Sequence, residues 1–316
     1  MKILITGGSG FIGSHLLKFF LDEGHEVISF DNLSRGKSSY LENVKEKCHI
    51  INGDIRNKKE LSMAFSSVDA VFHLAYINGT ENFYSMPDKI IDVGIRGLLN
   101  VVDLCIEHSV NHLFIASSSE VYQSPKIIPT PEEVELVVPD VNNPRYTYGG
   151  GKILYEIYGL HYASKFIKNV SIFRPHNVYG PDMGMEHVIP QIIKKIHDAK
   201  KIKKDFIVMQ GDGSQTRSFN YISDFIQGID LIFKSNSGGI FNIGTLDEIK
   251  IKDLYKKIAL IMKYDGSFSS GLEPLGATHR RCPDINKIKK LGYSPSFSIE
   301  QGLEITIDSY LNLLKD

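Results

Sequence analysis

The sequence predicts an α/β protein: a doubly wound parallel sheet with a smaller C-terminal α/β lobe. Three observations predict it. Short apolar runs alternate with amphipathic helical patterns through the first half of the chain, the arrangement of a parallel sheet covered on both faces. The first run, Ile3-Leu-Ile-Thr6, leads straight into Gly7, Gly10 and Gly13 and then into a helical pattern. Beyond about residue 176 the elements shorten, and Pro181, Pro190, Gly211, Gly213 and Ser235-Asn-Ser-Gly-Gly239 interrupt them.

In order, strands are expected over 2–6, 27–30, 49–52, 70–73, 112–116 and 170–173, and helices over 11–22, 58–65, 87–108 and 148–165. The helix over 87–108 carries two apolar stripes, Ile91/Ile95/Leu98/Val102/Cys105 and Ile90/Val101/Leu104. A helix apolar on two faces must be covered on both, inside the monomer or in a dimer. Residues 1–176 should form one domain, regaining a strand near 240–245, and 177–316 the smaller lobe.

Composition narrows the class. With 36 Lys and Arg against 37 Asp and Glu, the net charge of −1 implies no attraction to nucleic acid or to a membrane. Cys48, Cys105 and Cys282 form no CxxC pair, as expected of reduced thiols in a cytoplasmic protein with neither disulfide nor metal site. No apolar run reaches the roughly 18 residues of a membrane span. The first apolar stretch ends at Thr6 in a glycine turn, unlike a signal peptide.

The glycine turn is the most informative segment. Glycine allows a sharp turn and close approach of a ligand, and the helix behind it aims unpaired N–H groups and its positive end at the same point. A diphosphate suits that position. Gly7, Gly10, Phe11, Ile12 and Gly13 are therefore the expected diphosphate contacts. The spacing is GxxGxxG, and glycines alone are a weak signal; strand, helix and a downstream acid strengthen it. That acid is Asp31, followed by Asn32, at the end of the second strand. A carboxylate there accepts hydrogen bonds from ribose hydroxyls and repels a 2′-phosphate, so a Rossmann-type site for NAD is expected. Arg35 is the one nearby residue that would suit NADP.

Further candidates sit where such a sheet places its ligands, beyond the C-terminal strand ends. Asp54 and Ile55 follow the third strand, Asp54 suiting an adenine amino group. Leu74, Ala75 and Tyr76 follow the fourth, and Ser117-Ser-Ser-Glu120 the fifth. His73 reads as a packed, hydrogen-bonded histidine. In Tyr148-Gly-Gly-Gly-Lys152 the two polar residues share a helix face. A phenol of pKa about 10 is a poor base at neutral pH; the Lys152 ammonium and a cationic nicotinamide should lower it. Tyr122-Gln-Ser-Pro-Lys126 has the same spacing, but Pro125 spoils the helix. Three helical glycines cost roughly 1 kcal/mol each against alanine, so close packing must hold this turn.

The ordered motifs TGGSGFIG, Asp31, GDI, HLA, SSSE-VY, YxxxK, Phe173-Arg-Pro-His-Asn-Val-Tyr-Gly-Pro181, Gly211-Asp-Gly-Ser-Gln-Thr-Arg-Ser-Phe219 and Arg281-Cys-Pro-Asp284 resemble the extended short-chain dehydrogenases/reductases that modify nucleotide sugars. The likeness covers nearly the whole chain. It implies tightly held NAD, a nucleotide-diphosphate sugar substrate bound by the C-terminal lobe, and a homodimer through helices 87–108 and 148–165. It also implies that Ser118, Tyr148 and Lys152 form the catalytic core, Lys152 gripping the nicotinamide ribose, with Asn177, Arg217 and Arg281 at the substrate. Tyr76 is added as a substrate contact.

The shared chemistry is oxidation at sugar C4, with Tyr148 taking the hydroxyl proton and Ser118 holding the oxygen. Return of hydride from the other face gives a 4-epimer, loss of water a 4-keto-6-deoxy sugar, and loss of CO2 from a uronic acid a pentose. Glu120 discriminates among these: simple 4-epimerases carry a small residue there, while 4,6-dehydratases and uronate decarboxylases resemble this chain. The sequence therefore favours a reaction using Glu120 as a second base, 4,6-dehydration or epimerisation beside the ketone. A UDP-glucuronate-type decarboxylase or a simple 4-epimerase is the alternative. Gln123 and the Gly149-Gly-Gly151 spacer depart from the family pattern. A non-catalytic dinucleotide sensor should lack the Tyr/Lys pair or Ser118, and all three are present; Asp31 counts against a plain NADPH reductase.

Overall fold

Strands form where β-branched and aromatic residues run together between turns. In the computed structural model, which describes residues 1–272 and 278–314, these are β1 (Lys2–Thr6), β2 (Glu26–Asp31), β3 (His49–Asn52), β4 (Ala70–His73), β5 (His112–Ala116) and β6 (Asn169–Pro175). A seventh strand, Gly239–Ile243, returns from the second half of the chain to pair in parallel with β6. The sheet is parallel throughout, in the order Gly239–Ile243, β6, β5, β4, β1, β2, β3. This is the doubly wound, Rossmann-type sheet the sequence predicts. Thr6 lies opposite both Phe30 and His73, and Ala116 opposite Phe173. The C-terminal ends of the central strands thus open on one edge. The order of successive strands reverses between β1 and β4, and ligands of such sheets settle at that switch point.

Helices cover both faces. Helix α1 (Phe11–Asp22) packs beside Ile222–Ser235 on one face, where Phe72 stacks on Phe114 at 4.3 Å. After α2 (Lys58–Ser62) and the short α3 (Thr80–Ser85), α4 (Pro87–Glu107) and α5 (Tyr146–His161) pack together on the other face. Two helices depart from their expected bounds by more than one residue. Helix α2 stops at Ser62, three residues early, and α5 starts at Tyr146 and ends at His161, a separate 3₁₀ turn over Ala163–Lys165 following. The apolar stripes of α4 divide: Ile90, Leu98, Val101, Val102, Leu104 and Cys105 are buried within the monomer, while Ile91 and Leu99 stay exposed.

The C-terminal lobe is joined to the sheet by a buried polar hub. Arg174 of β6 binds Glu156 of α5 at 2.6 and 2.8 Å and donates to the Tyr122 hydroxyl at 2.5 Å and the Glu132 carbonyl at 2.9 Å. Tyr122 in turn donates to Asn242 of the seventh strand at 2.8 Å. The Asn242 side-chain amide donates to the Thr130 and Asp284 carbonyls. Two strongly patterned segments, 173–181 and 281–284, are thereby tied into the scaffold. A three-stranded sheet then sets Arg217 on Thr216–Ser218 directly opposite Arg281 on Arg280–Arg281, with Glu248–Lys250 on the far side.

Candidate active site

The N-terminal turn is built by close backbone approach. Gly7 takes φ +76°, and a Cβ there would meet the Ala75 backbone; at Gly13 a Cβ would strike the Gly7 carbonyl. Gly10 begins α1 without a side-chain cap, and no acidic residue sits in its first turn. The first N–H groups of α1 are thus left for an anion. Asp31 is buried at the end of β2. Its Oδ2 accepts from the Ser9 N–H at 3.1 Å and its Oδ1 from the Leu33 N–H at 2.8 Å, leaving lone pairs for ribose hydroxyls. Burial raises its pKa above the usual carboxylate value, against those two donors.

Neighbouring candidates differ in how they face this cradle. Asp54 holds Arg56 at 2.7 Å and accepts from Asn32 at 3.2 Å, so the two expected adenosine contacts are linked. Leu74 and Ala75 lie half-buried beside the turn. The Ile55 side chain instead packs in the core against Gly97 of α4, and its carbonyl accepts from Asn100 at 2.8 Å. Arg35 turns to form an ion pair with Glu186 of the C-terminal lobe.

Tyr148 is placed by α5 near Ser118, which donates a hydrogen bond to its phenol. Ser118 also accepts from the Glu120 N–H at 3.1 Å, capping the 3₁₀ turn Ser119–Tyr122. Ser117 is a scaffold group, donating to Glu156 at 2.5 Å. Lys152 is buried, its Nζ donating to the Ala116 carbonyl at 2.6 Å and lying 5.7 Å from the Tyr148 ring centre. In the chain by itself burial dominates and pushes Tyr148 up to about 12, the Ser118 hydrogen bond and Arg35 opposing it; a cationic nicotinamide bound beside the ring would act in the same lowering direction as these two. Burial likewise pulls Lys152 well below the ordinary lysine value, with Glu156 resisting.

Tyr76 also departs from its expected place. Its hydroxyl lies buried between Gly94 of α4 and Gly151 of α5, with no hydrogen-bond partner among the described residues. The Gly149-Gly-Gly151 spacer now has its reason: a Cβ at 149 would meet the Gln123 amide, and one at 151 the Tyr76 hydroxyl.

Around the sugar side, arginines converge on one carboxylate. Arg281, 5% exposed, donates from Nη1 to Glu120 Oε1 at 2.5 Å and from Nη2 to Thr278 Oγ1 at 3.0 Å. Glu120 keeps 26% of its side chain exposed. Burial alone would raise its pKa, but Arg281, backed by Arg145 and Arg217, holds it below the usual carboxylate value. Arg217 spends its donors on the Thr216 and Thr278 carbonyls, and burial beside Arg281 lowers it to about 10. Asn177 donates to the Ser218 carbonyl at 3.2 Å, from a backbone at φ +40°. Sequence reasoning missed Arg145, whose buried Nε, like that of Arg281, has no partner among the described residues. The available signal was its place three residues before Tyr148, on the same helical face.

A family model described as the NAD dependent epimerase/dehydratase family matches residues 3–244. The UDP-N-acetyl-alpha-D-glucosaminuronate decarboxylase of Bacillus cytotoxicus is 31% identical, over 100% of this chain and 99% of that protein. UDP-glucuronic acid decarboxylase 1 of Xenopus tropicalis is 32% identical over 97% of this chain and 71% of its own. Among solved structures, the UDP-glucose 4-epimerase of Thermotoga maritima with UDP-glucose superposes with a TM-score of 0.88 at 27% identity, covering 99% of this chain and 100% of that one. The dTDP-glucose 4,6-dehydratase DesIV of Streptomyces venezuelae, with NAD and TYD bound, gives 0.88 at 26%, covering 99% and 97%. The chain is thus an NAD-dependent enzyme of nucleotide sugars and belongs to the NAD-dependent epimerase/dehydratase family.

Proposed function

We propose that this enzyme decarboxylates a UDP-linked uronic acid through transient oxidation at C4. The observation that carries this reading is the Glu120–Arg281 ion pair at 2.5 Å. It argues against the base role that the sequence favours for Glu120. A carboxylate whose proton affinity is lowered by a paired guanidinium is a weak base for a C5 proton. Decarboxylation needs no carbon proton removed.

When bound, NAD accepts a hydride from C4 and later returns it. Tyr148 takes the C4 hydroxyl proton, Ser118 holds the oxygen, and Lys152 holds the nicotinamide ribose. The resulting ketone lies β to the C6 carboxylate. The C5–C6 bond then breaks, its electron pair passes to the C4 oxygen as an enolate, and CO2 departs. A proton returns to C5 and the ketone is reduced to the pentose. Glu120, fixed as an anion, disfavours the charged carboxylate beside it and not the neutral CO2. The unpartnered Nε groups of Arg145 and Arg281 suit the anionic diphosphate and uronate. Both relatives above that act on UDP-uronates support the substrate class.

The test is an NMR time course in D2O with UDP-glucuronate, UDP-N-acetylglucosaminuronate and UDP-glucose. Bicarbonate release and a pentose product carrying one deuterium at C5 are expected from a uronate. A C4 epimer of any of the three without solvent deuterium would overturn the reading.

A homodimer is part of the same proposal. Ile91 and Leu99 of α4 and Leu154 and Ile157 of α5 are all exposed, on two helices packed side by side. A second copy seated on these helices would cover them. We also place the enzyme in the cytoplasm: its three cysteines are free, and no helix among the described residues is long and apolar enough to cross a membrane.

A further inference from the structure

We infer that Tyr76 is a positioning residue: with Tyr155 it forms an aromatic box that holds the Lys152 ammonium beside Tyr148. The inference rests on Tyr148 and Lys152 being the acid–base pair. The Lys152 Nζ lies 4.0 Å from the centre of the Tyr76 ring and 4.3 Å from that of Tyr155. Both are well inside the range at which a ring face attracts a cation, and the attraction is strongest where water is excluded. The same Tyr76 ring meets Tyr148 edge-on at 5.1 Å, and Tyr148 stacks on Phe83 at 5.2 Å on its other side. One side chain therefore touches both members of the pair.

The packing shows what holds the box in place. The Tyr76 hydroxyl sits where a methyl on Gly94 or on Gly151 would stand, so two helices open a slot for it. Glycine at both positions costs helix stability, roughly 1 kcal/mol each. That hydroxyl makes no hydrogen bond, so the position is occupied for its ring. Tyr155 is fixed independently, donating to the Gly94 carbonyl at 3.1 Å and bonding His73 at 3.1 Å.

The box matters because little else supports the charge. From α5, Lys152 is faced by Tyr148, Tyr155 and Glu156. From β4 and its following loop it is faced by His73 and Tyr76, and from β5 by the Ala116 carbonyl. Glu156 is the only carboxylate among these, and it is already committed to Arg174 and Ser117. His73 stays neutral, its pKa lowered to about 3 by burial and by Lys152 itself. Beyond the one hydrogen bond to the Ala116 carbonyl at 2.6 Å, the two ring faces supply the remaining negative potential at the ammonium.

The experiment uses NAD-loaded protein carrying lysine labelled with 13C at Cε, so that the Lys152 signal, assigned by its loss in Lys152→Met, can be titrated directly without substrate. Tyr76→Phe keeps the ring face and should leave the midpoint where it is. Placing 3,4,5-trifluorophenylalanine at position 76 keeps the shape and withdraws the negative face. It should lower the midpoint by about one unit, a tenfold loss of proton affinity. Tyr76→Leu should lower it at least as far and draw in the alkaline limb of the turnover profile. Coincident midpoints for the phenylalanine and trifluorophenylalanine proteins would overturn the inference, leaving Tyr76 as a filler. Because the titration needs no turnover, failure on uronates and failure of the box are separate results.

Discussion

The cofactor half and the sugar half of this site are made of different material. The first is backbone: a turn in which Gly7 and Gly13 leave no room for a side chain, and a helix start without a cap. The second is side chains drawn from four separate segments, Glu120, Arg145, Arg217 and Arg281. The turn and helix start are encoded locally, between Gly7 and Gly13, with the Ala75 backbone packed against Gly7. A side-chain site depends on topology, here the three-stranded sheet that sets Arg217 opposite Arg281. The halves should therefore fail differently.

The largest effect should come from the cradle. Gly13→Val puts a Cβ into the Gly7 carbonyl and the Gly8 Cα, backbone atoms that cannot give way. We expect protein purified without detectable NAD, read by absorbance after acid release, and no turnover. Retention of NAD would mean that the turn is not the diphosphate site.

Arg281→Leu should break the other half alone. NAD content should be unchanged, while turnover falls on the order of 10²–10³-fold, the usual cost of a fixed charge at a reacting centre. The pH profile gives the sign. Arg281 holds Glu120 below the usual carboxylate value against burial; without it burial wins, and the Glu120 limb should move to higher pH. Loss of NAD together with turnover would show that the halves are not separable.

This contrast also explains what was legible. The sheet, its glycine turn and Asp31 could be read because period, glycine spacing and strand ends are local signals. The Glu120–Arg281 contact could not be read, because 160 residues of topology lie between its members. Tyr76 misled for a related reason. Its place after a strand end suggests a ligand, but its direction was set by glycines on two helices, Gly94 and Gly151, that only the fold brings together. Tyr148 shows a term that spacing does not reveal: the lysine one turn away and a cationic nicotinamide were expected to lower the phenol, and the fold adds a burial that raises it in the chain by itself.

Between the halves stands the Arg174 hub, both of whose charged partners are buried. Arg174→Leu leaves Glu156 buried without its cation, and Tyr122 and the Glu132 carbonyl without a donor. Breaking one side of a buried pair typically costs about 3–5 kcal/mol. Urea unfolding should show a loss of that order with a single transition. Two transitions would mean that the hub links domains able to unfold separately.

The smallest effect concerns two buried histidines, one on each side of that hub. His73 at the end of β4 and His176 after β6 both have pKa values lowered to about 3, chiefly by burial, and both are neutral in the folded chain. The unfolded chain binds a proton at each near pH 6.5 and the folded one does not, so stability falls as pH drops below about 6.5 and continues to fall toward 3. Each group contributes a slope of up to about 1.4 kcal/mol per pH unit across that window. His73 is held by Thr6 at 2.8 Å and Tyr155 at 3.1 Å, His176 by Asn242 at 3.1 Å. His73→Gln, which keeps polar atoms in place but cannot titrate, should remove one histidine's share of the slope in urea midpoints measured between pH 6 and 4.5. His176→Gln should remove an equal share if the two halves unfold as one. If His176→Gln leaves the slope intact while His73→Gln flattens it, the sugar half has already opened before the sheet does, and the side-chain site is the weaker of the two in stability as well as in sequence signal.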